Sequence, residues 1–215
     1  MVEKKLFRYN KMYYIVSIGD DDAPSFDVVS YVNNELKMGD SFCEKIVVND
    51  VEGWKSTMAS IIQKSSEKYI PLLFVECHGT RNGDMVLGGP DSHEKVRMKD
   101  FLADIKRLEQ KCDNKILLAT AICHGLYFYR KITKLEENSP CSCVIGSYTK
   151  QSTIDIECRY KLFFEKLLRH DCKGNVKSAF SAMKKAYDQD EVLKRWSKGQ
   201  RYAIITNKRT YYLPK

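Results

Sequence analysis

The chain has 215 residues, of which 43% are hydrophobic, and its formal net charge is +8. This length suits one α/β domain, and the hydrophobic fraction is ordinary for a globular protein, which excludes a disordered chain. Lysine and arginine alternate with acidic residues over most of the length, without a basic stripe interleaved with aromatics, so we do not expect nucleic acid as a partner. No segment approaches the roughly 18 apolar residues of a membrane span, so we expect no membrane partner either.

The eight cysteines would suggest a disulfide framework in a short secreted chain. Here residues 1–9 are charged, and the apolar run that follows lacks a small-residue cleavage site, so we expect no secretory signal. Cys43, Cys77 and Cys158 fall within apolar or periodic segments and are predicted to be buried, reduced thiols. The sequence therefore predicts a cytoplasmic protein.

Short apolar runs alternate along the chain with segments whose apolar residues recur every three or four positions. In chain order, the predicted segments are a strand at 12–18, a helix at 26–36, a strand at 45–48, a helix at 54–62, a strand at 69–77, a small hairpin within 82–90, a helix at 98–108, strands at 115–122 and 142–147, helices at 156–168 and 176–187, and strands at 202–206 and 211–213. Unbroken apolar strands separated by amphipathic helices are typical of a mainly parallel sheet covered on both faces. We predict one α/β domain over residues 1–215, a three-layer α/β/α sandwich with about six mostly parallel strands.

A histidine and a cysteine follow two consecutive predicted strands. His78 and then Gly79 come after the third strand, and Cys123 comes after the fourth, with Gly125 two places on. Neighbouring parallel strands lie roughly 5 Å apart and end at the same edge of a sheet, so His78 and Cys123 are expected to lie close together. In that arrangement His78 would act as general base and Cys123 as nucleophile.

Two further features complete the predicted site. A helix predicted at residues 126–132 would place its positive end beside the Cys123 sulfur and favour the thiolate. The backbone N–H groups of Gly79 and Cys123 are the candidates for binding the oxyanion of an acyl-transfer intermediate. This chemistry needs neither a metal nor an organic cofactor.

The order of these motifs resembles the caspase-like clan of cysteine peptidases, which includes caspases, metacaspases, clostripain and the CHAT-type peptidases. Residues 74–79 resemble the histidine motif of the clan, and residues 117–125 resemble its cysteine motif. Residues 144–147, 163–168 and 178–180 are similar to the segment after the cysteine in CHAT-type members. The resemblance implies a caspase-like fold and an endopeptidase that cleaves protein or peptide substrates through a thioester, with activation by a partner protein or a signal.

The sequence departs from the clan where specificity is set. Ala121 stands two places before the cysteine, where metacaspases carry an aspartate, and aspartates follow the first strand, where caspases place an arginine. Cleavage after aspartate is therefore not expected, and the aspartates either bind a basic P1 side chain or form a solvated turn. The candidates for binding substrate are Asp20, Asp21, Asp22, Ser147 and Tyr148.

Other interpretations stay open at this point. Cys77, His78, Cys123 and His124 could supply four zinc ligands, although adjacent strand residues point to opposite faces; otherwise His124 begins the helix after the cysteine. Glu76, on the same strand face as His78, either orients that histidine or, as the second interpretation, is solvent-facing or paired elsewhere. The whole chain could also be a catalytically silent interaction module on the same fold, or a basic nucleic-acid-associated protein.

Overall fold

The described residues form an open sheet of nine strands, which helices cover. The structure is a computed structural model that describes residues 9–19, 23–113, 115–126, 143–147, 150–168, 181–182, 185, 202–206 and 210–213. The strands are β1 (Lys11–Ser17), β2 (Cys43–Val47), β3 (Pro71–Gly79), β4 (Met85–Val86), β5 (Lys95–Val96), β6 (Leu117–Ile122), β7 (Cys143–Ser147), β8 (Tyr202–Thr206) and β9 (Thr210–Leu213). The described helices are α1 (Val28–Ser30), continued by a π-helical turn at Tyr31–Glu35, then α2 (Val51–Lys64), α3 (Met98–Lys111) and α4 (Thr153–Leu168).

The strand order is β2-β1-β3-β6-β7-β8-β9, and β4 and β5 form a hairpin that branches from β3. The pairs from β2 to β7 are parallel, whereas β7, β8 and β9 pair antiparallel. This confirms the prediction of a mostly parallel α/β sheet. The hairpin is wider than predicted, because its second strand lies at Lys95–Val96, beyond the predicted segment 82–90.

Helices cover both faces of the sheet. The connection from β1 to β2 runs in one direction along the sheet, and the connections from β2 to β3 and from β3 to β6 run in the opposite direction. Because crossovers between parallel strands are right-handed, α1 lies on one face of the sheet and α2 and α3 lie on the other. Tyr31, just after α1, donates to the Lys161 carbonyl of α4 at 3.0 Å, which puts α4 on the face of α1. On the other face, the rings of Trp54 in α2 and Phe101 in α3 are 5.6 Å apart.

The core beneath α4 centres on Phe74 of β3. Its ring centroid lies 4.6 Å from that of Tyr160 and 5.2 Å from that of Phe164, both in α4. The Tyr14 ring of β1 stacks on the same Phe74 ring at 5.3 Å. These four rings fix α4 across β1 and β3, and with it the segment that leads into α4.

Some predicted elements differ from the structure or lie beyond its description. The predicted helix at 26–36 is a three-residue helix followed by a π-helical turn, in a stretch whose β-branched residues lower helix propensity. Most of the predicted helix at 176–187 lies outside the described residues, of which 181, 182 and 185 are helical. Within the described part of the chain, no helix is both long and apolar enough to cross a membrane.

Candidate active site

His78 and Cys123 come to the same edge of the sheet. The parallel register of β3 and β6 pairs Glu76 with Ala121 and Cys77 with Ile122, so His78 and Cys123 are the next residues along the two neighbouring strands. Both side chains are partly buried. The strand order reverses between β1 and β3, which is where functional sites of open α/β sheets form, beyond the carboxyl ends of the strands. The predicted proximity of the two strand ends is confirmed, while the catalytic roles of the two residues stay a prediction.

Gly79 lets these strand ends approach closely. A Cβ atom at this position would lie 2.1 Å from the Cys123 carbonyl oxygen and 2.6 Å from Cγ2 of Ile122. No side chain fits in that space, so glycine is required here for packing between β3 and β6. The use of the Gly79 and Cys123 N–H groups as oxyanion donors remains a prediction, because packing alone already accounts for this glycine.

Cys123 lies in a tight turn. The N–H of Gly125 donates to the Ile122 carbonyl at 2.8 Å, so Cys123 and His124 are the two central residues of a four-residue turn. His124, the third residue of the turn, has a φ of 59°, a left-handed conformation that non-glycine residues adopt at a cost. His124 therefore lies in a turn that runs through Leu126, and its predicted place at the start of a helix stays a prediction. The rest of the helix predicted at 126–132 lies outside the described residues.

Gln151 contacts the Cys123 sulfur. Its backbone N–H donates to Cys123 Sγ at 3.5 Å, and its carbonyl oxygen lies 4.0 Å from the same sulfur. Its side-chain Nε2 donates to the Ile122 carbonyl at 2.9 Å. Sequence reasoning missed this residue, because Gln151 is 28 residues from Cys123 and belongs to no recognisable motif.

A capping box directly after Gln151 begins α4. The hydroxyl of Ser152 accepts from the Asp155 N–H at 3.2 Å, and the Asp155 carboxylate accepts from the Ser152 hydroxyl at 2.7 Å and from the Ser152 N–H at 3.3 Å. This arrangement satisfies backbone donors at the helix start. Serine followed three places on by an acid is a signal that could have located this helix start. The amino-terminal end of α4 thus lies next to Cys123, whereas the predicted contribution of a helix at 126–132 stays a prediction.

Glu76 is a buried carboxylate paired with β1 and the segment after it. It accepts hydrogen bonds from the Tyr14 hydroxyl and from the N–H of Ser25 at 2.9 Å, and the Ser25 hydroxyl donates to it as well. Burial raises the pKa of Tyr14, and the negative charge of Glu76 raises it further. Of the two interpretations of Glu76, the structure favours pairing with these groups.

The remaining predicted substrate-binding residues divide into two groups. Ser147 is fully buried, and its carbonyl accepts from the Leu126 N–H at 3.0 Å, so the Ser147 side chain does not face solvent in this structure. Any contact of Ser147 with substrate therefore requires the chain around it to move. Asp20, Asp21, Asp22 and Tyr148 lie outside the described residues, and their proposed roles stay predictions.

Five cysteines whose side chains the structure describes are free thiols, namely Cys43, Cys77, Cys112, Cys123 and Cys158. Cys43 and Cys77 are buried as predicted, whereas Cys158 is only partly buried, because it lies with the equally part-exposed Glu157 between the buried Ile156 and Arg159 of α4. Burial, and next the charge of Glu76, raises the pKa of the Cys77 thiol, so Cys77 is suited to a place in the core. Within the described ranges, no three histidine, cysteine or acidic residues are grouped as a metal site would require, so the four-ligand zinc interpretation gains no geometric support.

Comparison with known proteins bears on the fold. No family model and no curated protein sequence matches this chain. Among solved structures, it is similar to the crystal structure of the Drosophila initiator caspase Dronc, with 13% sequence identity and a TM-score of 0.55. The match covers 95% of this chain and 83% of the Dronc chain. At this identity the likeness concerns architecture alone, and we conclude that the chain has a caspase-like α/β fold.

Proposed function

We propose that this chain is a cysteine endopeptidase in which His78 and Cys123 form the catalytic dyad. The observation that carries the proposal is the register of β3 and β6, which makes these two residues neighbours at the carboxyl ends of the strands, next to the β1–β3 position where the strand order reverses. A base and a nucleophile on adjacent strand ends, each in a partly exposed position, are the arrangement that acyl transfer requires.

The chemistry follows from the two side chains. The His78 imidazole takes the proton of the Cys123 thiol, and the sulfur attacks the substrate carbonyl carbon. The carbon–nitrogen bond then breaks as His78 returns the proton to the leaving amine, and a thioester remains on Cys123. Water, deprotonated by His78, attacks the thioester, releases the new carboxyl end and restores the thiol.

Two features of the described structure support this sequence of steps. The turn from Ile122 to Gly125 fixes the backbone that carries the nucleophile. The N–H of Gln151 at 3.5 Å from Cys123 Sγ, at the positive end of α4, favours a negative charge on the sulfur. The proposal includes a protein or peptide substrate, a cytoplasmic location and activation by a partner protein.

Cleavage of a mixed-sequence peptide library tests the proposal. We expect wild-type protein to cleave and both Cys123→Ala and His78→Ala to lose cleavage, with the product ends identifying the P1 residue. Matched controls are Cys158→Ala, a second partly buried thiol, and His93→Ala, an exposed histidine, and both should retain wild-type cleavage.

The outcomes separate an enzyme from a silent module of the same fold. Cleavage that persists in the Cys123→Ala protein would refute the dyad. If no version of the chain cleaves, alone or with extract from cells that contain candidate partners, the interaction module becomes the better account.

A further inference from the structure

Gln151 forms hydrogen bonds with the turn that carries Cys123. Gln151 donates its backbone N–H to Cys123 Sγ at 3.5 Å and its side-chain amide to the Ile122 carbonyl at 2.9 Å. One residue therefore contacts two consecutive residues of the turn, the nucleophile itself and the carbonyl just before it. Neither hydrogen bond is local, since 28 and 29 residues separate the partners.

The Ile122 carbonyl is the common point of the turn and of this external contact. It accepts from the Gly125 N–H at 2.8 Å, which closes the turn, and from Gln151 Nε2 at 2.9 Å. Both lone pairs of this carbonyl oxygen are thus used. The orientation of the peptide that leads into Cys123 is fixed from two directions, and rotation of that peptide would break both hydrogen bonds.

Gln151 is itself held by a rigid support. The capping box of Ser152 and Asp155 begins α4 at the next residue. Further along the helix, the Tyr160 hydroxyl donates to the Thr120 carbonyl at 2.6 Å, three residues before the cysteine. The segment from Gln151 to Tyr160 therefore contacts the carboxyl end of β6 through two hydrogen bonds, and the position of α4 determines the position of the cysteine that follows this strand.

We propose that Gln151 is a positioning residue for Cys123, which aims the sulfur and donates a hydrogen bond to it. A donor to a thiolate forms a stronger, charge-assisted hydrogen bond than a donor to a thiol or a thioester, so the contact favours the reactive form of the sulfur. The catalytic part of this inference rests on the proposed function, while the effect on the reactivity of Cys123 does not.

The test uses the full chain and iodoacetamide, a small alkylating agent that reads thiolate reactivity without any peptide substrate. The rate of Cys123 labelling is measured by site-resolved mass spectrometry between pH 5 and pH 9, which separates it from the other thiols. Gln151→Ala removes the side-chain amide, and Gln151→Glu keeps its size but not its donor. Both variants keep the backbone N–H that donates to Cys123 Sγ and lose the side-chain hydrogen bond to the Ile122 carbonyl, which orients the peptide leading into Cys123. We expect labelling at pH 7 to fall about fivefold in both, the effect of one hydrogen bond.

Lys150→Ala is the matched control, because Lys150 precedes Gln151 in the chain and is exposed to solvent. It should label at the wild-type rate. Melting temperatures separate positioning from folding, since slow labelling at an unchanged melting temperature is not a general loss of structure. If the protein is a peptidase, the Gln151 variants should also lose kcat with little change in KM.

The labelling rates of the two Gln151 variants decide whether the inference holds. Wild-type labelling in both Gln151 variants would overturn the inference, and so would slow labelling in Gln151→Ala with wild-type labelling in Gln151→Glu, which would leave only a space-filling role. Slow labelling in both variants, together with no peptide cleavage by any protein, would sustain the inference and count against the proposed function instead.

Discussion

Replacing Gly79 by alanine should separate the two strand ends that carry His78 and Cys123. The new Cβ would lie 2.1 Å from the Cys123 carbonyl oxygen, a backbone atom, whereas contacts of a real Cβ under 3.0 Å essentially never occur. The Cys123 backbone must therefore move by about 0.9 Å. Overpacking of this kind destabilises by about 1–3 kcal/mol, which exceeds the roughly 0.4–1 kcal/mol that alanine gains by restricting the unfolded chain.

The same displacement should affect reactivity more than stability. A misplacement of about 1 Å at a catalytic group lowers the rate by about a hundredfold, so peptide cleavage by Gly79→Ala should fall by that order. Urea unfolding followed by circular dichroism measures the stability, and Cys123 alkylation reports the local geometry.

Gly39→Ala is the matched control for this variant. Gly39 precedes β2 at the amino-terminal edge of the sheet and has a φ of 98°, and a Cβ added there would meet no described atom within 4 Å. The control should lose about 1–2 kcal/mol from its left-handed backbone alone and keep wild-type alkylation of Cys123. Wild-type stability together with wild-type alkylation in Gly79→Ala would refute the reasoning.

Three other substitutions test the surroundings of the site. His124→Gly should have a free energy of unfolding in urea about 1 kcal/mol above that of His124→Ala, which also lacks the ring, because glycine adopts the φ of 59° without a Cβ clash; equal values for the two variants would contradict this. Glu76→Gln should lower the free energy of unfolding by about 1.5–3 kcal/mol, because Tyr14 and Ser25 lose a charged acceptor, and a change below about 0.5 kcal/mol would show that the charge is unimportant. Burial raises the pKa of Cys43 from 9.0 to about 12, so the stability it contributes is complete below pH 9 and is lost as pH rises above that value. Between pH 9 and pH 11 the slope for Cys43→Ala should therefore be shallower than that of the wild type by about 1.4 kcal/mol per pH unit, and equal slopes would contradict this.

The fold could be predicted from the sequence because its main signals are local. Unbroken apolar runs mark strands buried on both faces, and periodic segments between them mark the crossover helices. From that alternation, general rules of connection place β3 beside β6 and bring His78 and Cys123 to one edge. The glycines after both residues also appear in the sequence, although only the structure explains Gly79, through the Cys123 carbonyl that occupies the space of its side chain.

The rest of the site could not be predicted because its contacts are not local. Gln151 meets Cys123 only through the packing of α4, and a glutamine before a helix start has no particular sequence signature. The left-handed His124 marks a turn that hydrophobic periodicity does not detect. From the sequence, Glu76 is only a polar residue in a strand. Its buried partner Tyr14 lies 62 residues away and is identified only by the structure.

The most direct test of the central claim is the dependence of Cys123 alkylation on His78. If the two residues act as a base and its nucleophile, His78→Ala should alkylate at Cys123 about a hundredfold more slowly than wild type at pH 6–7, while the exposed control His93→Ala should not differ from wild type. The same labelling rate and pH profile in His78→Ala and wild type would mean that the two residues share a sheet edge without sharing chemistry, and would contradict the account.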